Sequence, residues 1–194
     1  MGDIKYTVLP LAVLDSAKVY FEDFVTKYQL SDYQKATISK YTYHAPDGLD
    51  FTPKSIVIAA WDGKASREPI AAEALLKGMG AKFHDMPWMP KKHLAARSGM
   101  GKYGKNNLVC FDDWGSYGRI GTYFTDIEPP SNYIWQDTEI MDFCATCGKC
   151  DACPGKNFRD DRFLAYAEGC INIGKEAKVC SLCIEVCPFN QKEN

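Results

Sequence analysis

Eight of the chain's nine cysteines fall within the 44 residues from Cys144 to Cys187, and no other feature restricts the fold so strongly. The first run, CATCGKCDACP, holds Cys144, Cys147, Cys150 and Cys153, followed by Pro154. The second, CSLCIEVCP, holds Cys180, Cys183 and Cys187, followed by Pro188, and Cys170 lies ten residues upstream of it. A C-x2-C-x2-C loop turns three sulfurs toward one iron–sulfur cubane, and the Cys of a terminal Cys-Pro ligates the other cluster. That rule assigns Cys144, Cys147, Cys150 and Cys187 to one 4Fe–4S cluster and Cys153, Cys170, Cys180 and Cys183 to a second. The first Cys-Pro follows two residues rather than the usual three, which on a helical turn rotates the sulfur by about 100°. Cys153 is therefore the least constrained of the eight. The competing reading is two structural zinc sites of four cysteines each. Paired Cys-Pro ends favour the iron–sulfur reading.

Clustered cysteines mean metal only where thiols stay reduced. The opening MGDIKYTVLPLAVLD lacks a basic start, and Pro10 interrupts its apolar run, so it does not read as a signal peptide. Tyr6 stands where a myristoylation motif needs Ser or Thr. No stretch approaches membrane-spanning length. These features place the chain in the cytoplasm, away from membranes. A net charge of -2 gives no general basic footprint for nucleic acid. Residues 136–194 hold 7 basic and 10 acidic side chains, and a negative redox module suits a soluble electron donor that docks through a basic face.

The composition changes near residue 136. Upstream, Cys110 is the lone cysteine, in an apolar stretch that marks it as a small core residue. The segment IEPPSNYIWQD (127–137) reads as a linker or hinge, dividing a domain at 1–135 from a cysteine module at 136–194. The expected fold is α+β: a small α/β domain followed by a bacterial-ferredoxin-like module. Residues 6–14 and 55–61 are strand-like runs. Between them SAKVYFEDFVTKY reads as an amphipathic helix with Tyr20, Phe21, Phe24, Val25 and Tyr28 toward a core. Residues 67–80 and 89–99 read as two more helices. NNLVCF and GRIGTYFTD read as two strands joined by the turn DDWGSY.

The segment 84–126, HDMPWMPKKHLAARSGMGKYGKNNLVCFDDWGSYGRIGTYFTD, followed by the double cysteine motif, resembles the epoxyqueuosine reductases and the cobalamin-dependent reductive dehalogenases. The resemblance covers roughly the last 110 residues, as two separated motifs in the right order. It implies an α/β part that binds a corrinoid and clusters that pass single electrons to its cobalt. It implies that GMGKYGKNN, with Gly99, Gly101, Lys102, Gly104, Lys105 and Asn106, helps hold the corrinoid's nucleotide tail. The strand pair after it, with Gly115 and Tyr117 in its turn, would share that task. Asp85 matches an acidic residue that serves epoxyqueuosine reductases as proton donor. The donor implied is a ferredoxin or flavodoxin, and a corrinoid protein is a second candidate partner.

The chain also departs from that family. Only about 25 residues separate Ala60 from Asp85, where epoxyqueuosine reductases carry a longer region. They also carry a helical extension that grips tRNA, whereas this chain ends seven residues after Cys187. The expectation is accordingly a minimal core, with tRNA not among its partners. The twin-arginine signal of respiratory dehalogenases is absent as well.

Simpler readings stand beside these. Gly99, Gly101 and Gly104 spell GxGxxG, but after a helix and before a strand, the wrong order for a dinucleotide site. A plain turn competes with a phosphate cradle there. Asp85 as proton donor would need burial, for which Trp88 is the nearby candidate, and a solvated loop carboxylate is the rival reading. His93, after Lys91 and Lys92, reads as a surface residue. Two functions compete: a cobalamin-linked reductase or reductive activator, and a ferredoxin-like electron carrier without corrinoid.

Overall fold

The computed structural model describes residues 4–66, 68–158, 170 and 180–191. Its main sheet contains β1 (Ile4–Pro10), β2 (Ser55–Asp62), β3 (Phe83–Asp85) and β6 (Gly118–Thr125). The strand order is β1-β2-β6-β3, with every pair antiparallel. A separate ribbon pairs β4 (Lys102–Tyr103) with β5 (Val109–Cys110). Helices α1 (Ala12–Lys27), α2 (Asp32–Ile38), α3 (Ile70–Gly78) and α4 (Lys91–Arg97) surround the sheet. Helix α5 (Asp142–Cys147), the 3-10 turn Lys149–Ala152 and the short helix Leu182–Glu185 carry Cys144, Cys147, Cys150 and Cys183, and a second 3-10 turn, Pro188–Gln191, follows Cys187.

The unbroken apolar run SIVIAAW has a physical cause. Its strand is covered on both faces, so no position alternates to polar. Ile56 and Ile58 pack with Leu14 and Ala17 of α1, Leu94 of α4 and Phe124. Val57, Ala59 and Trp61 face Ala72 and Leu76 of α3, with Tyr123. Phe21 and Phe24 are buried as expected, in a satellite cluster with Leu30 and Ile38 that Tyr20 and Tyr28 flank. Val25 is exposed. Cys110 is buried, as its apolar strand suggested.

Several sequence expectations require correction. The strand expected over 6–14 stops at Pro10, and Ala12–Asp15 already belong to α1. Proline has no N–H to extend the ladder, and Leu11 turns into the right-handed region. NNLVCF and GRIGTYFTD are strands but not partners. Val109–Cys110 pairs back to Lys102–Tyr103, whereas Gly118–Thr125 pairs with β2 and β3. A lone bridge between Phe111 and Gly115 closes the turn between them, which re-aims the chain from one sheet to the other. His93 is not on the surface: it is 1% exposed. Its ring lies 4.2 Å from Tyr20, with Phe21 and Trp135 edge-on.

Residues 127–137 form no regular element, yet they are pinned. The Gln136 N–H donates to Arg97 O at 2.9 Å. The Arg97 guanidinium sits 4.8 Å over the Trp135 ring and 3.2 Å from Asp137. Just beyond, Ile140 bridges Tyr103, and Met141 N–H donates to Tyr103 O at 2.8 Å. The cysteine segment is thus stitched to the β4–β5 ribbon. Among the described residues no helix is long and apolar enough to cross a membrane.

Candidate redox centre and adjoining cavity

Helix α5 presents Cys144 and Cys147, ends at Gly148 in the left-handed region (φ 64°), and turns through Lys149–Ala152 to bring Cys150 round. Cys144, Cys147 and Cys150 line one hollow together with Cys187, which comes from the second run. Burial pushes the Cys150 thiol up to about 12, and Cys144, Cys187, Cys147 and Cys183 add to that push in that order. Burial likewise raises Cys183 to about 11, with further pressure from Cys153, Cys170 and Cys180. Cys170 is raised by burial and then by Cys180 and Cys153. Cys187 of the second run thus shares a hollow with three cysteines of the first, and Cys153, Cys170, Cys180 and Cys183 act on one another electrostatically, with Cys183 also acting on Cys150.

Crowded, desolvated thiols resist ionising, and a metal site relieves this because its ligands are thiolates. Two N–H groups already aim at sulfur. The Lys105 backbone N–H donates to Cys144 Sγ at 3.4 Å, and Asn157 Nδ2 donates to Cys153 Sγ at 3.7 Å. Among the described residues, no three His, Cys, Asp or Glu side chains gather around a single-ion position. Zinc draws its sulfurs to about 2.3 Å, whereas a cubane accepts one sulfur at each of four irons. The donor chemistry, four cysteines lining one hollow, fits an iron–sulfur cluster.

The residues expected to hold a nucleotide tail turn out to be engaged with the chain itself. Gly99 (φ 75°) ends α4: its N–H donates to Ala96 O while Met100 N–H donates to Ala95 O, a two-bond helix cap that favours glycine. A Cβ on Gly101 would lie 2.6 Å from Cys110 O, so this glycine lets the two ribbon strands approach. Lys102 starts β4, and the hollow beside it is lined by Gln136, Asp137 and Glu139. Gly104, Lys105 and Asn106 line the hollow of the first cysteine set. Lys105 Nζ lies 3.5 Å from Asp151, and Asn106 Nδ2 donates to Cys183 O at 3.3 Å. Gly115 (φ 56°) lies against Asn190, whose side chain would overlap any Cβ placed there. Tyr117 lies under Lys64 Nζ at 4.0 Å. This loop therefore serves the cysteine centre directly, a role that its glycine pattern did not suggest.

A larger cavity of about 530 Å³ opens between α4, β6 and the ribbon. Asp85, at the end of β3, and Trp88 both line it and are exposed, so Asp85 lacks the burial that the proton-donor reading requires. Lys91, Lys92 and His93 of α4 line it too. Burial holds the Lys92 ammonium down to about 8, against an upward pull from Cys183, and Nζ donates to Asn107 O at 2.9 Å. Lys92 therefore lines the cavity while its charge is felt by Cys183 of the second run. Burial, assisted by Arg97, depresses His93 to about 3 and keeps it neutral. Both His93 nitrogens and Tyr123 Oη are buried without a hydrogen-bond partner. Strand β3 covers only Tyr123–Thr125 of β6, so the edge of β6 at Gly118–Gly121 borders the cavity unpaired by β3. Sequence reasoning singled out Asp85 but missed Lys92, His93 and Tyr123, which became neighbours only through long-range packing.

No family profile matches the chain. It is similar to the epoxyqueuosine reductase of Atelocyanobacterium thalassa, 30% identical over 122 residues, covering 53% of this chain and 38% of that relative. The other curated relatives it matches carry the same name, and the chain spans about a third of their length. Among solved structures, an epoxyqueuosine reductase holding a tRNA-Tyr stem loop aligns at a TM-score of 0.63 and 22% identity, covering 99% of this chain and 62% of that one. A catabolic reductive dehalogenase aligns at 0.55 and 15%, covering 75% and 27%. The resemblance drawn from 84–126 and the cysteine runs is thus met in both sequence and fold. The expectation against tRNA is overturned, because a neighbour sharing the fold was solved with a tRNA stem loop. A whole-chain charge of -2 averages over all faces and does not report on one local surface.

Proposed function

We propose that this chain is a cytoplasmic iron–sulfur oxidoreductase that carries single electrons through two 4Fe–4S clusters to a corrinoid at the 530 Å³ cavity. The observation that supports the reading is the hollow that Cys144, Cys147 and Cys150 of the first run share with Cys187 of the second. When bound, the clusters supply one-electron transfer and the corrinoid supplies a strongly reducing metal centre. The chain's own groups do the rest. Cys144, Cys147, Cys150 and Cys187 hold the first cluster, and Cys153, Cys170, Cys180 and Cys183 hold the second. The Lys105 N–H and the Asn157 amide stabilise thiolate charge.

A corrin is flat, apolar and edged with carboxamides. The cavity offers aromatic walls at Trp61, Trp88 and Tyr103, with unpaired polar atoms at His93 and Tyr123 that suit amide partners. A whole cobalamin exceeds this volume, so part of it would stay outside, on a partner or against the loop Gly99–Asn106. Asp85 lines the cavity but is exposed, so it would serve as proton donor only to a substrate that covers it. A tRNA stem loop is one candidate substrate, since the relatives are named for such chemistry.

Anaerobic reconstitution with iron and sulfide tests the cluster reading. About eight irons and eight sulfides are expected, and about two zinc ions without sulfide would reject it. Incubation with hydroxocobalamin tests the second step. Retained corrinoid absorbance after desalting supports it, and its absence favours a plain electron carrier.

A further inference from the structure

Asn157 is only 3% exposed, and it directs its side-chain N–H at Cys153 Sγ. Its placement has a local cause. After Cys153-Pro154-Gly155 the chain turns, with Lys156 N–H donating to Cys153 O at 3.0 Å. Lys156 adopts φ 47°, one of two left-handed non-glycine residues among those described. Such a conformation is strained without glycine, and backbone strain of this kind persists where surrounding structure enforces it. Here the strained residue returns the next side chain, Asn157, to the sulfur four positions back.

The two cysteine sets are not treated alike. The first set receives a backbone N–H, from Lys105. The second receives the Asn157 amide, and Lys92 lies close enough to feel the charge of Cys183. A hydrogen bond or cation at a ligating sulfur favours the more negative, reduced form, so it raises the reduction potential.

We propose that Asn157 is a tuning residue that raises the potential of the second cluster. This rests on the two-cluster assignment above. Reduction adds one electron to the oxidised second cluster, and no proton or bond is exchanged in the step.

The test is a potentiometric titration of reconstituted protein followed by electron paramagnetic resonance, comparing wild type with Asn157→Leu and Asn157→Asp. Cys153→Ser marks which signal belongs to the second set. The expected result is a tenfold fall in one cluster's reduction equilibrium constant in Asn157→Leu, about 59 mV for one electron, with the other couple unmoved. Asn157→Asp, which keeps the shape but presents a carboxylate, should lower it at least as far. Unchanged potentials, equal shifts in both couples, or loss of iron in both variants would overturn the proposal. Wild-type protein showing no two one-electron couples would instead remove the cluster assignment beneath it, so the two failures are distinguishable.

Discussion

The tie between Asn190 and the turn at Gly115–Ser116 permits a quantitative test of how the cysteine module is held. Asn190 Oδ1 accepts the Ser116 N–H at 2.7 Å, while Nδ2 donates to Ser116 Oγ and to Ile184 O, each at 2.7 Å. Asn190→Ala removes three bonds at about 1 kcal/mol each and strands part-buried groups, for a total of about 3 kcal/mol. Asn190 follows Cys187 by three residues, so undocking it should loosen the first cysteine set. Cluster proteins do not unfold in two states, so the readout is anaerobic iron release to a ferrous chelator. Release through the undocked form should accelerate about 100-fold, at 1.36 kcal/mol per factor of ten. Gly115→Ala should act similarly, because its Cβ would displace Asn190 Oδ1, with about 1 kcal/mol more for the left-handed φ. In the double variant the clash is gone and only the backbone cost adds. The singles should therefore be strongly non-additive, coupled by about 3 kcal/mol. Additive effects, or less than about threefold faster release in Asn190→Ala, would refute the reasoning.

Three further outcomes are expected. Cys187→Ala should remove the spectroscopic signature of the cluster on Cys144, Cys147 and Cys150, and loss of the other signature alone would show that the ligands do not cross. Gly101→Val should lower the melting temperature by the equivalent of about 2 kcal/mol, since its Cβ would press on Cys110 O; an unchanged melt would mean that the ribbon yields freely. His93 has a folded pKa of about 3, below its usual 6.5, so the unfolded chain binds the extra proton between those values and stability falls as pH drops through that window. From pH 7 to 5 the histidine should cost the fold about 2 kcal/mol, which His93→Phe should abolish; parallel pH slopes in the two proteins would disprove its role.

Local pattern made some elements readable. The buried run of β2 and the apolar spacing of α1, α3 and α4 each reflect one face or two faces packed on a sheet. The cysteine runs stood out because ligand spacing is set by a cluster rather than by the fold, and Cys187 does share a hollow with the first run. Helix α2 was legible but unread: Ser31 and Gln34 cap each other reciprocally, an S-x-x-Q signature. Strand β3 was not legible, since three residues become a strand only through pairing with Thr125–Tyr123. At Gly101 and Gly104 the closely approaching atoms belong to the chain, Cys110 O and Asn106 Oδ1, which a glycine pattern alone does not distinguish from an approaching ligand. His93 misled because two lysines precede it, although both line the cavity with it.

The crossed pairing of the two cysteine runs has a consequence for synthesis. A nascent chain exposes Cys144, Cys147 and Cys150 while Cys187 is still to be translated, so the first site emerges as an open set of three thiols. The second begins as Cys153 alone. Neither site can close on its own, and both are completed by the same late segment, which Asn190 then fastens to the turn at Ser116. Under the crossed assignment, metallation is a post-translational and nearly all-or-none event. A cell short of iron or sulfide should accumulate empty chains rather than half-loaded ones.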